Sequence, residues 1–383
     1  MIKANMHLQT PMRLTALVWM LSVLNTGLSI LTSTSENDKV CRTAECTKMA
    51  QQISDAIDTK VDPCDDFFSY ACGKWKKDTQ IPRGISAVNR FTEAANRRDE
   101  KMKRVLNQLT QPTRGDQSID HKLGILFRKC TEKYSRDKEN SEIRNLLKQK
   151  FGKWPKKVEH KSRPVPSTSL LKQVGFLGLL GITVDINVYD NSKYAIVMKT
   201  PSTDPLSWQG LQALTTAQKT VYKAYIERMI NTIDPNFKDA QTVAKSIFDF
   251  EDDLSFRTSV PQASMRMTTL GTIDRDLNSK MINYKDLIQK VFSTLKKKVS
   301  LTDSQVIIVA SPAYYAKVED ALTDIQQDEL YNYLGYKYLS QLIKFSRSDL
   351  FFYYTTFLKT VDPTYNEPQE SDFTSLCIRD LMV

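Results

Sequence analysis

Hydrolytic chemistry needs an activated nucleophile and a group to take its proton, and the residue types that supply them are scarce in this 383-residue chain. It has three histidines: His7, His121 and His160. A hydrolytic zinc requires three protein ligands, an open position for water and a base beside it. The common helical solution is H-E-x-x-H, in which imidazoles at i and i+4 share a face. None of the three histidines has another four residues away, so the expected metal and catalytic sites of this chain are none, and no cofactor is assigned. G-x-S-x-G and Gly-rich phosphate loops are absent, and so few histidines leave little for a Ser or Cys triad. The adjacent carboxylates Asp65/Asp66 and Asp252/Asp253 read as residues of solvated turns and helices. Glu251 reads as a structural ion-pair partner rather than an acid catalyst.

The remaining chemistry lies in six cysteines, Cys41, Cys46, Cys64, Cys72, Cys130 and Cys377. The first four follow an apolar N-terminal segment, which points to a compartment where thiols oxidise. Lys3 and Arg13 are basic, Leu14 to Leu24 is an apolar run, and Gly27-Leu28-Ser29 offers a small-x-small cleavage site. Residues 1–29 therefore read as a secretory signal peptide and the protein as extracellular. The alternative is a type II plasma-membrane anchor over residues 14–31, although Ser22, Asn25, Thr26, Gly27 and Ser29 dilute it and a span wants about 20 mostly apolar residues. The loop from Cys41 to Cys46 is short enough for a local disulfide. Lys and Arg outnumber Asp and Glu by 54 to 44, a net charge of +10. That surplus favours acidic partners such as anionic glycans, a polyanion contact through the basic surface, though the basic residues are scattered as on solvated faces. No basic stretch interleaved with aromatics is present, so nucleic acid is excluded as a partner.

The elements that must carry these residues read as mainly α. Met49, Ile53 and Ile57 recur at helical spacing, as do Met102, Val105, Leu106 and Leu109 within residues 92–109. Leu123, Leu126, Phe127 and Cys130 form a further stripe with Cys130 pointing inward. Tyr222, Ile226, Met229 and Ile233 form another that Pro235 stops; Val243, Ile247, Phe250 and Leu254, then Leu330, Leu334, Tyr338 and Leu342, complete the set. Strict alternation of Ile182, Val184, Ile186 and Val188 predicts a half-buried strand, with a turn at Asp190-Asn191-Ser192 and a second strand over Tyr194 to Met198. Val306 to Ala310 is a short apolar run before Ser311-Pro312, a plausible helix start. Residues 152–169 and 360–372 read as loops.

The segment Pro63-Cys-Asp-Asp-Phe-Phe-Ser-Tyr-Ala-Cys-Gly-Lys-Trp75, followed by Ile81-Pro82, resembles the opening of the neprilysin family of zinc metallopeptidases. Leu123 to Cys130, the hairpin, the helix bearing Glu251, Ser311 to Tyr315 and the late cysteine follow in the family's order. The resemblance implies a multi-helix ectodomain fragment with a small β-hairpin. It places the start of a catalytic lobe without its zinc site at residues 41–130 and a helical covering lobe at residues 131–383. It further implies that Cys41 pairs with Cys46 and that Cys130 pairs with Cys377, and that Cys64 and Cys72 are unpaired, because the family joins them to a catalytic half that this chain lacks. A helix between Cys64 and Cys72 would hold their Cα atoms about 12 Å apart, beyond the roughly 7 Å reach of a disulfide. Where some members place an arginine that grips a substrate carboxylate, spacing puts Ala87, with Arg83 and Arg90 nearby but out of place. Zinc belongs to the full-length family, not to this chain.

Three functions fit. The first is the N-terminal part of a metalloendopeptidase that degrades extracellular peptides, ending early and inactive alone. The second is a secreted, non-catalytic protein that binds peptides or a partner. The third is a basic exported scaffold.

Overall fold

The computed structural model describes residues 40–81, 87–109, 118–132, 136–159, 166–258, 265–295, 299–344, 346, 348–363, 365, 374, 377 and 378. The signal segment 1–29, the alternative anchor 14–31, His7, Arg83 and His160 lie outside the described residues. The chain divides into two compact units between Gln80 and Ile81.

The first unit is a pair of helices, α1 (Ala44–Ala56) and α2 (Phe67–Asp78). Thr43 caps α1 by accepting from the Cys46 N–H, and Asp66 caps α2 by accepting from the Ser69 N–H at 2.9 Å. Lys77 and Asp58 join α2 to the connecting turn at 2.8 Å. Among the described residues of this unit, Ala56 is the one buried apolar side chain; Met49 and Ile53, two of the residues that recur at helical spacing, are each 57% exposed. The spacing predicted the helix, but among the described residues of this unit nothing covers the stripe.

The second unit holds twelve helices among the described residues. It begins with α3 (Arg90–Gln108), α4 (Ile119–Thr131), α5 (Arg136–Phe151) and α6 (Thr168–Val174). The hairpin β1 (Gly181–Asn187) and β2 (Asp190–Lys199) follows, then α7 (Trp208–Gln212), α8 (Thr216–Ile233) and α9 (Ala240–Arg257). After these come β3 (Arg266–Thr269), α10 (Ile273–Asp276), α11 (Tyr284–Ser293), β4 (Val306–Val309), α12 (Pro312–Asp324), α13 (Gln327–Ile343) and α14 (Asp349–Val361). One large core lies among α5, α8, α9, α12, α13 and α14; the stripes Tyr222, Ile226, Met229, Ile233 and Val243, Ile247, Phe250, Leu254 are wholly buried in it. A second, small core gathers Leu106, Phe127, Cys377 and Ile378, with Met102, Leu109, Leu123 and Cys130 against it.

The expected hairpin forms, within a four-stranded sheet of order β1-β2-β4-β3. β1 and β2 are antiparallel, β2 and β4 parallel, β3 and β4 antiparallel. Two details correct the sequence reading. The turn is Val188-Tyr189, while Asp190 accepts from Ser192 and pairs with Lys193 at 2.7 Å, shaping an irregular start to β2. The alternating residues Val184, Ile186 and Val188 are 53%, 52% and 61% exposed rather than buried. Period two reports that a strand has two faces; it does not say that either is covered, and β4 pairs with β2 only from Ile196 to Met198. Ser311 and Pro312 start α12 as expected, though the Ser311 side chain makes no capping bond.

Candidate functional site

The most strongly organised polar group sits inside the large core. Helix α13 is apolar around most of its circumference, as buried helices are, yet it carries Lys337 at 2% exposure. The Lys337 ammonium pairs with the Glu251 carboxylate of α9, itself 2% exposed, and donates to the Asp204 carbonyl at 2.7 Å. Tyr222 of α8 donates to the other Glu251 oxygen at 2.7 Å and lies 3.0 Å from the Tyr336 hydroxyl. The Tyr333 and Tyr336 rings each lie 5.5 Å from the ammonium, within cation–π range. Burial and the neighbouring Glu251 charge raise the Tyr222 hydroxyl well above its ordinary pKa, and burial does the same for Tyr336, so both stay neutral donors. Gly178, at φ +72°, lies against the Lys337 stem; a Cβ there would come within 2.8 Å of Cγ. The positive φ and the close approach both favour glycine.

The members of this group bond to one another, and Glu251 has the structural pairing expected of it. Asp66, Asp252 and Asp253 of the other carboxylate pairs are also engaged. Asp66 caps α2, and hydrogen bonds from the Ser69 side chain and backbone lower its pKa. Asp252 accepts from Lys219 at 2.9 Å and Asp253 from Arg257 at 2.7 Å.

Among the described residues no group of three His, Cys, Asp or Glu side chains converges where a metal could be held. His121 lies in the first turn of α4, and the next turn on its face presents Gly124 and Ile125, which have no ligand atoms. No zinc-dependent step is therefore derived for this chain.

The cysteines fall into two groups. Cys41 and Cys46 are joined, as are Cys130 and Cys377, each with a Cα–Cα distance of 5.8 Å. The second bond ties α4 to the C-terminal segment across 247 residues, with Cys377 2% exposed in the small core. Cys64 and Cys72 are free thiols, the former exposed in the turn before α2. Ala87 is exposed just before α3, and Arg90 is engaged with Glu93 at 2.9 Å. A recess of about 510 Å³ lies beside Cys130, lined by Ile143, Leu146 and Leu342 together with the charged Lys129, Glu132, Lys138, Glu139 and Glu142.

Lys337, Tyr336 and Asp204 were not singled out from the sequence, and Tyr222 was named only as part of a helical stripe. A signal existed for Lys337: it is the one charged residue in the run Leu330 to Leu342, flanked by tyrosines and leucines on every side.

Fold and cysteine pattern together define the class, the helical N-terminal region of a neprilysin-type ectodomain. The sequence profile of peptidase family M13 matches residues 63–379, and the chain belongs to that family. Neprilysin of Pongo abelii is 23% identical over 360 residues, 86% of this chain and 47% of the relative. Neprilysin-2 of Caenorhabditis elegans is 22% identical over 334 residues, 83% and 45% respectively. Among solved structures, a zinc metalloprotease of Mycobacterium tuberculosis in complex with an inhibitor is similar at TM-score 0.65 and 14% identity, over 85% of this chain and 49% of that one. PepO of Lactobacillus rhamnosis is similar at TM-score 0.57 and 13% identity, over 84% and 50%. At such identities the structural likeness speaks to the fold alone. The chain spans about half the length of the curated relatives it matches.

Proposed function

We propose that this chain is the zinc-free N-terminal part of a neprilysin-like metalloendopeptidase that degrades extracellular peptides, and that by itself it hydrolyses none. In this reading residues 41–130 begin the catalytic lobe and residues 131–383 form the helical lobe that restricts access to it. The observation that carries it is the family match over residues 63–379 in a chain with three histidines, none at ligand spacing. The two disulfides support an oxidising, extracellular setting. Among the described residues no helix is long and apolar enough to cross a membrane. Peptides are the proposed ligands, and the surplus of ten positive charges adds affinity for polyanions.

The test is cleavage of a quenched fluorescent peptide library by the purified oxidised chain, with and without added zinc. No turnover above buffer is expected in either condition; zinc-stimulated turnover that a chelator abolishes would overturn the proposal. A second reading, a non-catalytic peptide-binding protein, draws on the Cys130–Cys377 bond, which closes a large folded core within this chain. Saturable peptide binding without turnover selects it.

A further inference from the structure

β1 is an edge strand of the sheet: among the described residues the order β1-β2-β4-β3 leaves its outer side without a partner strand. Edge strands in soluble proteins are ordinarily blunted by charge, proline, brevity or a covering element. β1 runs Gly181-Ile-Thr-Val-Asp-Ile-Asn187, seven residues with a single charge and no proline. The N–H of Ile186 donates to the Asp185 carboxylate at 2.8 Å, which identifies it as facing away from β2. By alternation, Ile182, Val184 and Ile186 present their backbone N–H and C=O groups outward. The Val184 carbonyl accordingly meets, among the described residues, only the Thr183 hydroxyl, at 3.5 Å. Side chains of the same three residues share one face of the sheet. On it Val184, Ile186 and, opposite Ile186 in the register, Tyr194 are 53%, 52% and 74% exposed.

We propose that β1 pairs antiparallel with β1 of a second copy of this chain, with Val184 on the two-fold axis, giving a continuous eight-stranded sheet. An antiparallel two-fold contact is self-complementary by construction, and the sequence selects its register. Centring on Val184 makes Val184–Val184, Ile182–Ile186 and Ile186–Ile182 the hydrogen-bonded pairs, so every outward N–H and C=O of the three residues finds a partner. It also sets Thr183 opposite Asp185, a hydroxyl facing a carboxylate. Centring on Asp185 would put two carboxylates directly opposite, which is destabilising. Centring on Thr183 would leave the outward groups of Ile186 beyond the strand. On the apolar face the Val184 register continues the rows of the sheet: Ile196, Val184, Val184, Ile196 in one, and Tyr194, Ile186, Ile182, Met198 in the next. The contact is one strand wide, at the small end of the interface scale where a specific interface buries roughly 1,200 Å² or more. A reversible micromolar dimer is the form expected.

The test is sedimentation velocity across a concentration series with the full chain, in a Cys64→Ser/Cys72→Ser background so that thiol cross-links cannot contribute. The parent is expected to show a reversible monomer–dimer equilibrium. Val184→Lys, which places two ammonium groups together on the axis, should weaken it at least about tenfold while the circular dichroism spectrum and melting temperature stay unchanged. Thr183→Lys faces Asp185 twice per dimer and should tighten it by about two- to tenfold; Thr183→Asp should weaken it, and Thr183→Asp combined with Asp185→Lys should restore it. Amide exchange at Ile182, Val184 and Ile186 should slow as concentration rises. A parent that stays monomeric at several hundred micromolar, a dimer indifferent to these substitutions, or concentration-dependent protection confined to another element would each overturn the proposal. None of these outcomes bears on whether the chain hydrolyses peptides, so this inference fails separately from the functional reading.

Discussion

Removing one partner of the Glu251–Lys337 pair is the sharpest perturbation of the large core. Lys337→Met keeps the length and apolar stem of the side chain while deleting its charge. What remains is a Glu251 carboxylate at 2% exposure with Tyr222 as its hydrogen-bond donor, and an Asp204 carbonyl deprived of its ammonium. Breaking a buried pair from one side costs about 3–5 kcal/mol, because a charge is left uncompensated. In a unit of this size that lowers the melting temperature by on the order of 10 °C. Glu251→Gln should cost a similar amount, leaving the ammonium with neutral acceptors and two tyrosine faces 5.5 Å away but no counter-charge. The double variant leaves no unpaired charge, only hydrogen-bonding groups short of partners at about 1–3 kcal/mol each. It should therefore be no less stable than the weaker single variant, and far more stable than additivity requires. Urea denaturation followed by circular dichroism measures all four proteins. Single variants that each lose less than about 1 kcal/mol, with additive effects, would refute the view that this pair is held desolvated in the core.

Further expectations concern other parts of the molecule. Gly335→Ala drives a Cβ into the Trp154 indole, which donates to the Asn332 carbonyl at 3.2 Å; overpacking of about 1–3 kcal/mol and a shift in tryptophan emission should follow. Cys130→Ser with Cys377→Ser should lower stability by roughly 2–5 kcal/mol in urea titrations, since the bond closes a very long loop. The Asp190 carboxyl is held down to about 2 by hydrogen bonds from Lys193 and Ser192. Because the folded value lies below the unfolded one, whatever this turn contributes is complete above the ordinary aspartate range and is lost as pH falls through about 2. Carboxyl chemical shifts against pH should show that low midpoint, and an ordinary one near 4 would contradict the geometry.

Much of the helical architecture was legible because burial and period coincide in the large core. The stripes on α8 and α9 are buried at every position named from the sequence. The same rule misled on α1 and β1, where Met49, Ile53, Val184 and Ile186 have apolar periodicity but stand in the open. Period identifies a face; what covers it depends on elements far off in sequence or on another chain. β3 was not seen because Arg266 to Thr269 is four residues long and gains its identity from pairing with β4. Val306 to Val309 read only as an apolar run for a similar reason: a short buried strand has no alternation to display. The Glu251 pairing was half visible, since the acid drew notice and its lysine, 86 positions on, did not. That none of the three histidines has another four residues away is a property of the sequence alone.

The most direct measurement is the zinc content of the purified, oxidised chain after equilibration with excess zinc and exhaustive dialysis, by inductively coupled plasma mass spectrometry. With no H-E-x-x-H in the sequence, zinc well below one equivalent per chain is expected. One tightly held zinc per chain, retained through dialysis and lost on His121→Ala, would show that the polypeptide builds a metal centre its sequence pattern does not contain.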